Sequence, residues 1–281
     1  MEQKNIFKFF KDARDFQILW LSIFLLYGVW NLQWNNFASY AVIFSACLIT
    51  QVFCNFLLSV SKPSVKSAII TALSLCLLFS ANSLWTFALC GILSIASKFL
   101  LRLNKKHIFN PSLFGIVFCL LFTDDAWVSP GKWGNEYLLV VFFIACALLV
   151  LLKVGRIGTS LAFLGTLMTL EFFRTCIYFN DNMWVFLQKF SSGTILLFAF
   201  FMITDPMTTP RSFKGRLIYG CLVGGLTFYL TNWLQAYDAP IWALTIATPF
   251  TILINTLFKG ARFNWLPEHM NITINSKKQV I

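Results

Sequence analysis

Charge is what this sequence lacks most. Asp, Glu, Lys and Arg make up 12% of its 281 residues, where a soluble domain carries about 25%. So few ionised groups cannot cover a water-soluble fold of this length, and that class is excluded. Acids are the scarcer sign, 11 against 22 bases. Only two histidines occur, His107 and His269, both in loop-like stretches, and none of the eight cysteines stands in a C-x-x-C pattern. Zinc-type and redox-pair clusters therefore have no sequence support. The cysteines read as small, polarizable helix filler. The opening MEQKNIFKFFKDARDF holds Glu2, Asp12 and Asp15 and precedes no small-residue cleavage site. It reads as an interfacial amphipathic segment leading into an uncleaved first span, in preference to a secretory signal. Low-complexity tracts are missing too, and the C-terminal LPEHMNITINSKKQVI is too short for a domain.

What is present is apolar sequence: 58% hydrophobic residues, 17% aromatic ones and a mean hydropathy of +0.73. Read against a span of about 20 residues, the runs fall near 17–34, 38–60, 67–81, 84–101, 111–123, 136–153, 157–173, 192–204, 216–235 and 240–258. The expected fold class is all-α, a polytopic membrane protein of about ten transmembrane helices. A cytoplasmic segment 1–16 would precede one transmembrane domain, 17–260, with halves of about 17–135 and 136–260, and a cytoplasmic tail 261–281 would follow. With the N-terminus inside and each span crossing once, 19 of the 22 Lys and Arg fall on the cytoplasmic side, and only Lys132, Arg174 and Lys189 fall opposite. Asp124, Asp125, Glu136, Asp181 and Asp238 lie on or near that opposite side. Orientation by positive charge produces such a bias. The net charge of +11 then reflects topology and anionic lipid headgroups, and nucleic acid is not an expected partner. The location expected is a bacterial inner membrane, with both termini cytoplasmic.

Several runs are shorter than a crossing, and helix breaks at membrane depth survive only against protein or a water-filled cavity. Four breaks stand out. In HIFNPSLFG, Asn110 can cap and Pro111 suits the first turn. The stretch after it, including Gly115, is either an ordinary capped span or a half-helix whose positive end attracts anions. In KVGRIGTSLAFLGT, Gly158, Thr159 and Ser160 open a helix, as plain capping or as a site for a phosphate or a flavin's pyrimidine edge. In SSGTILLFAFFMITDP, Gly193 and Thr194 open a short span that ends near Thr204, because Pro206 pushes Asp205 out of the helix. In TDPMTTPRSFKGR, the Asp205 carboxylate sits at a negative helix end and needs a partner; Arg211, Lys214 and Arg216 are within reach along the chain. Two readings stand there: an ion-paired turn, or a carboxylate placed for a cation, a proton or a cofactor hydroxyl. The NP of the fifth run and the TPF of the tenth, at Thr248 and Pro249, hint at two five-span halves inverted in the membrane.

FNPSLFG, RIGTSLAFLG and SGTILLFAFFMITDPMTTPRSFKGRLIYG, in that order, resemble one family over about His107 to Gly220. It is the NqrB/RnfD family, a membrane subunit shared by the sodium-pumping NADH:quinone reductase and the Rnf electron-transport complex. The resemblance implies a ten-helix, internally duplicated fold that holds flavin and passes electrons, coupled to Na⁺ or H⁺. Family members carry covalent FMN on a D-x-x-[S/T]-G-A-[S/T] motif, which this sequence lacks, so covalent FMN is not expected. TDDAWVSPGKWG has no S-G-A-T, and KFSSGT has Lys189 where the acid belongs. The chain looks closer to short relatives outside the large complexes, including UnbU-like membrane proteins of enediyne biosynthesis. The expected cofactor is non-covalent flavin, FMN or riboflavin, near Asn110, Pro111, Gly115, Gly158, Thr159, Ser160, Gly193, Thr194, Thr204, Asp205, Pro206 and Arg216. Electron-transfer subunits are the expected partners, because no NADH-binding or iron–sulfur pattern is present. A channel or transporter for a small solute, or a scaffold, are the alternatives.

Overall fold

In the computed structural model, the described residues are 12–59, 64–103, 106–128, 155–190, 193–261 and 263. The expected span 136–153 lies outside them, as do most of the N-terminal segment and most of the tail. Among the described residues the chain is helical throughout, with two small strand pairs. Helices α1 (Ala13–Trp30), α2 (Phe37–Leu57), α3 (Lys66–Leu78), α4 (Leu84–Leu100) and α5 (Pro111–Phe122) form the first part. Helices α6 (Ile157–Phe172), α7 (Met183–Phe190), α8 (Gly193–Leu197), α9 (Phe213–Asn232), α10 (Ala239–Ala247) and α11 (Phe250–Leu257) form the second. Two of these pass directly into π-helix, α6 into Phe173–Tyr178 and α8 into Phe198–Met202.

The surface is that of a membrane protein. Leu26, Phe53 and Phe56 point outward while Ser94, Thr159, Ser160 and Glu171 are buried, the inverse of a soluble fold. Among the described residues, Phe37–Leu57 and Ile157–Tyr178 are each long and apolar enough to cross a bilayer. Two bent pairs raise the number to four: Met183–Phe190 with Thr194–Met202, and Ala239–Ala247 with Phe250–Leu257. Helices α3, α4 and α5 are apolar but shorter.

The short helix α3 is completed by strand. A 13-residue helix is about 20 Å long, short of the roughly 30 Å hydrocarbon core. Leu78 is followed at once by strand β1 (Phe79–Ala81), whose residues each rise about 3.3 Å, so α3 and β1 together approach a full crossing. Leaving the helix exposes backbone groups that must be satisfied inside the protein. Between α4 and α5, β2 (Arg102–Leu103) and β3 (Lys106–His107) form a hairpin; after α5, strand β4 (Ala126–Val128) pairs antiparallel with β1, Phe79 opposite Val128. The Asp125 carboxylate closes the corner, accepting the Ser83 amide at 3.0 Å and the Thr86 hydroxyl at 2.9 Å.

Two of the expected runs are corrected by this arrangement, and one further helix was not among them. The run 67–81 ends in strand. The run 240–258 is two helices bent by 50° at Thr248–Pro249, where proline removes a backbone donor. Helix α7, with three polar or charged residues nearby in Asn182, Gln188 and Lys189, did not stand out as a span at all.

Helices α6 and α9 pack at backbone distance. A Cβ on Gly220 would lie 2.7 Å from the Thr159 carbonyl oxygen, and one on Gly224 would lie 2.8 Å from that of Phe163. This small-xxx-small spacing is how membrane helices approach closely without a solvent-driven hydrophobic force. Gly225, next in sequence, faces open space. Gly220→Ala is therefore expected to destabilise the protein by about 1–3 kcal/mol, with Gly225→Ala neutral or slightly stabilising. Thermal unfolding in detergent checks this pair; equal melting temperatures would remove the close-packing account.

Candidate functional site

The breaks foreseen at Asn110 and Asp205 meet. Asn110 caps α5 through Oδ1, which accepts the Leu113 amide at 3.3 Å, with Pro111 in the first turn. Its Nδ2 donates across the fold to Asp205 Oδ2 at 3.3 Å. Asp205 follows the π-helical Phe198–Met202, where Thr204 turns its hydroxyl back to the Phe200 carbonyl and Pro206 prevents further helix. The other carboxylate oxygen accepts the Met207 amide at 2.9 Å, an Asx-type turn. The Asp205 carbonyl accepts the Thr208 and Thr209 amides at 3.2 and 3.1 Å.

The expected basic partners of Asp205 are corrected. None of Arg211, Lys214 and Arg216 forms an ion pair with it among the described residues. The side chain that faces it instead is His107, whose Nε2 lies 3.7 Å from Oδ2, beyond hydrogen-bond length and an ion pair only with a protonated imidazole; the two side chains are 14% and 15% exposed. His107 reaches this position because the β2–β3 hairpin turns the chain just before Asn110. Arg156, buried at the N-cap of α6, supplies a positive charge. Its Nη1 donates to the Pro210 carbonyl at 2.9 Å and Nη2 to that of Pro206 at 3.5 Å. It thus ties both prolines of the turn. Arg211 instead gives its backbone N–H to Asn255 Oδ1 at 2.9 Å, and Arg216 gives Nη1 to the Gly155 carbonyl at 3.3 Å.

These contacts set the electrostatics. Burial pushes the Asp205 carboxyl up; His107, the Met207 amide and Arg156 outweigh it, and the group stays below the usual carboxylate value. Burial and the neighbouring Arg216 push Arg156 down to about 10, with Asp205 working against them.

Around this cluster is a cleft of about 280 Å³. Asn110, Pro111, Thr204, Asp205 and Pro206 all line it, with Phe200 and Phe201 as apolar wall. Arg14, Ser67, Lys98 and Arg102 line it as well. Because Ser67 and Asn110 lie at helix starts and Lys98 near a helix end, α3 and α5 run in one direction and α4 in the other. Several of the described basic residues collect at this end of the bundle. Lys66 pairs with Asp12 and Asp15, Lys98 bonds Ser67, and Arg156 and Arg216 bracket the start of α6.

The other expected site residues lie elsewhere. Gly115 is the crossing point of α5 with α4, where a Cβ would meet Ser94 and the Cys90 carbonyl. Gly158 faces Phe213, and Thr159 and Ser160 are fully buried with no hydrogen-bond partner for either hydroxyl among the described residues. Arg216 stacks over Phe213, its guanidinium carbon 5.7 Å from the ring centroid. Gly193 begins α8, and Thr194 lines a second cavity of about 330 Å³ toward the opposite end of the bundle.

That second cavity holds a group the sequence reading passed over. Glu171, 3% exposed, accepts Lys189 Nζ at 2.7 Å and Asn232 Nδ2 at 2.5 Å, while Lys189 also donates to Thr175 Oγ1 at 2.9 Å. Asp238 and Thr227 lie on the same lining. The signal was present: Glu171 is the one acid inside the apolar run LAFLGTLMTLEFF, and an ionisable residue in a membrane span marks a functional position by default.

An all-helical membrane bundle with interrupted helices meeting at a charged cleft defines a membrane protein built around an internal polar site. The sequence pattern of the NQR2, RnfD, RnfE family matches residues 122–264, just over half of the chain. The chain belongs to that family. It is 30% identical over 132 residues to the D subunit of an ion-translocating oxidoreductase complex of Vibrio atlanticus (strain LGP32), covering 46% of this chain and 36% of the relative. A protein of the same description from Shewanella pealeana is 35% identical over 106 residues, 37% of this chain and 30% of that one. One from Tolumonas auensis is 51% identical over 41 residues, 15% of this chain and 12% of the relative. The chain thus matches about a third of the length of the first two relatives and less of the third.

The charges generate two predictions. With its carboxyl held low, Asp205 adds stability above the unfolded carboxylate value, about 3.9. That contribution disappears as pH falls through the lower folded value. The melting-temperature gap between wild type and Asp205→Asn should be widest near neutral pH and close below about pH 4; a gap independent of pH would contradict the assignment. For the second cluster, Lys189→Met should cost about 1–3 kcal/mol by leaving Glu171 without its cation, and adding Glu171→Gln should restore most of it. Double-mutant unfolding measures the coupling, and strictly additive losses would argue against it.

Proposed function

We propose that this chain acts as the membrane subunit of a flavin-dependent electron-transport assembly of the Rnf/Nqr type, with a flavin held non-covalently in the Asp205 cleft. The observation that carries the reading is the convergence of Asn110, Pro111, Thr204, Asp205 and Pro206, from segments 95 residues apart, onto one partly apolar cleft. The donor set fits such a ligand. His107 Nε2 is buried with no hydrogen bond of its own among the described residues, and a ring's polar edge would satisfy it. Asn110 and Thr204 offer further polar contacts, the Asp205 carboxylate accepts from a ring N–H or a hydroxyl, and Phe200, Phe201 and Pro111 provide flat apolar wall. A bound flavin would supply one- and two-electron transfer; the protein's part is to hold and orient it and to keep Asp205 charged. Partner subunits that deliver and accept the electrons belong to this reading, as does an inner-membrane location with the basic end of the bundle cytoplasmic.

A second reading, passage of a cation, is favoured by one observation. The two cavities share Met202, and the buried Phe198–Met202 segment contributes to the lining of both the Asp205 cleft and the cavity of Glu171. π-Helical turns inside helices recur at functional sites, and a carboxylate on each lining suits Na⁺ or H⁺. This reading is compatible with electron transfer and would couple to it; on its own it describes a transporter.

The protein purified in mild detergent from riboflavin-replete cells is expected to be yellow and to release flavin on acid treatment. Asp205→Asn should lose most of that flavin while inserting normally. A colourless wild-type preparation that still admits radioactive sodium ions to proteoliposomes would leave only the transporter.

A further inference from the structure

We infer that the Asp205 cleft is built for a phosphate-bearing ligand, with Lys98 and Arg102 as its phosphate contacts. For a flavin as the carrier of that phosphate this rests on the reading above; for the phosphate itself it does not.

Lys98 is the starting point. Its ammonium donates to Gln51 Oε1 at 2.5 Å and to Ser67 Oγ at 2.6 Å. Both acceptors are neutral. Among the described residues no carboxylate forms an ion pair with it. An ammonium has three donors, so one remains, and Lys98 lines the cleft. Topology accounts for basic residues that reach headgroups or water; it does not account for one turned inward onto neutral partners. A cation held away from water without a counter-ion is costly, and an anionic ligand removes that cost.

The surroundings point the same way. Arg102, one turn beyond Lys98, is anchored through Nε to the Lys98 carbonyl at 2.7 Å. Its Nη groups make no hydrogen bond among the described residues, and it lines the same cleft. Ser67, which accepts from Lys98, keeps its own hydroxyl proton for an anion. Helix α3 begins beside Ser67, with its positive end on the cleft. Among the described residues Asp205 is the only carboxylate on the lining, and its oxygens are taken up by Asn110, Met207 and His107. Asp12 and Asp15 are engaged by Arg14 and Lys66. The lining of the cleft thus offers both an acceptor, Asp205, and donors, Lys98 and Arg102. A molecule with a polar ring edge and a phosphate fits both. The same donors would also take the phosphate of an anionic lipid headgroup.

The test uses the full chain in detergent with four ligands: riboflavin, flavin mononucleotide, inorganic phosphate, and phosphatidylglycerol in mixed micelles against phosphatidylcholine. Flavin mononucleotide is expected to bind about tenfold more tightly than riboflavin, the difference one charge-assisted contact makes. Lys98→Gln should erase that ratio and leave riboflavin affinity unchanged, and Lys98→Arg should keep it. Should Lys98→Gln not fold, Arg102→Gln carries the same measurement. Equal affinities for the two flavins in wild type would overturn the phosphate contact and leave the flavin reading standing. If neither flavin binds but phosphate or phosphatidylglycerol raises the melting temperature of wild type and not of Lys98→Gln, the phosphate site stands and the flavin reading falls. No effect of any phosphate compound would overturn the inference.

Discussion

A backbone N–H or C=O inside hydrocarbon has no solvent to turn to, and much of this structure follows from where the chain breaks its helices despite that. Each break is roofed by protein. Strand β1 finds β4, the end of the π-helical segment is folded back through Thr204, and the turn after Asp205 is stapled by its own carboxylate and by Arg156. At Asp205 the polar groups that make the repair are also the ones that build the cleft. Structural satisfaction and a binding surface therefore arise from the same atoms, and a residue such as Asn110, which caps a helix and holds Asp205, serves both.

The cleft illustrates how a few charges acquire strong effects. Asp205 faces His107 and Arg156, not the basic residues that follow it in sequence. Of those neighbours along the chain, Arg216 gives its guanidinium to the Gly155 carbonyl, and the Arg211 backbone N–H bonds Asn255. What is near in sequence is set apart in space, and what is distant is brought in.

Legibility of the fold in the sequence was uneven for physical reasons. Apolar runs, Asn110–Pro111 capping and the interruption at Asp205–Pro206 are local effects, and they were readable. The all-helical membrane class followed from charge scarcity together with the apolar runs. The strands β1 and β4 were not readable, since three-residue strands have no periodicity and depend on a partner made later in the chain. His107 and Arg156 were missed as partners of Asp205 because their approach depends on how helices pack. Glu171 was visible as a lone acid among apolar residues, but its meaning emerged only with Lys189 and Asn232 beside it. Gly115 and Gly158 stand at close contacts, with α4 and with Phe213, that no local pattern in the sequence displays.

The pairing of Phe79–Ala81 with Ala126–Val128 bears on how the protein is made. The ribosome finishes the first of these strands well before the second exists, and during that interval its amides and carbonyls have no partner at bilayer depth. The backbone of the segment from α3 to β4 is therefore fully paired only once synthesis has passed Val128.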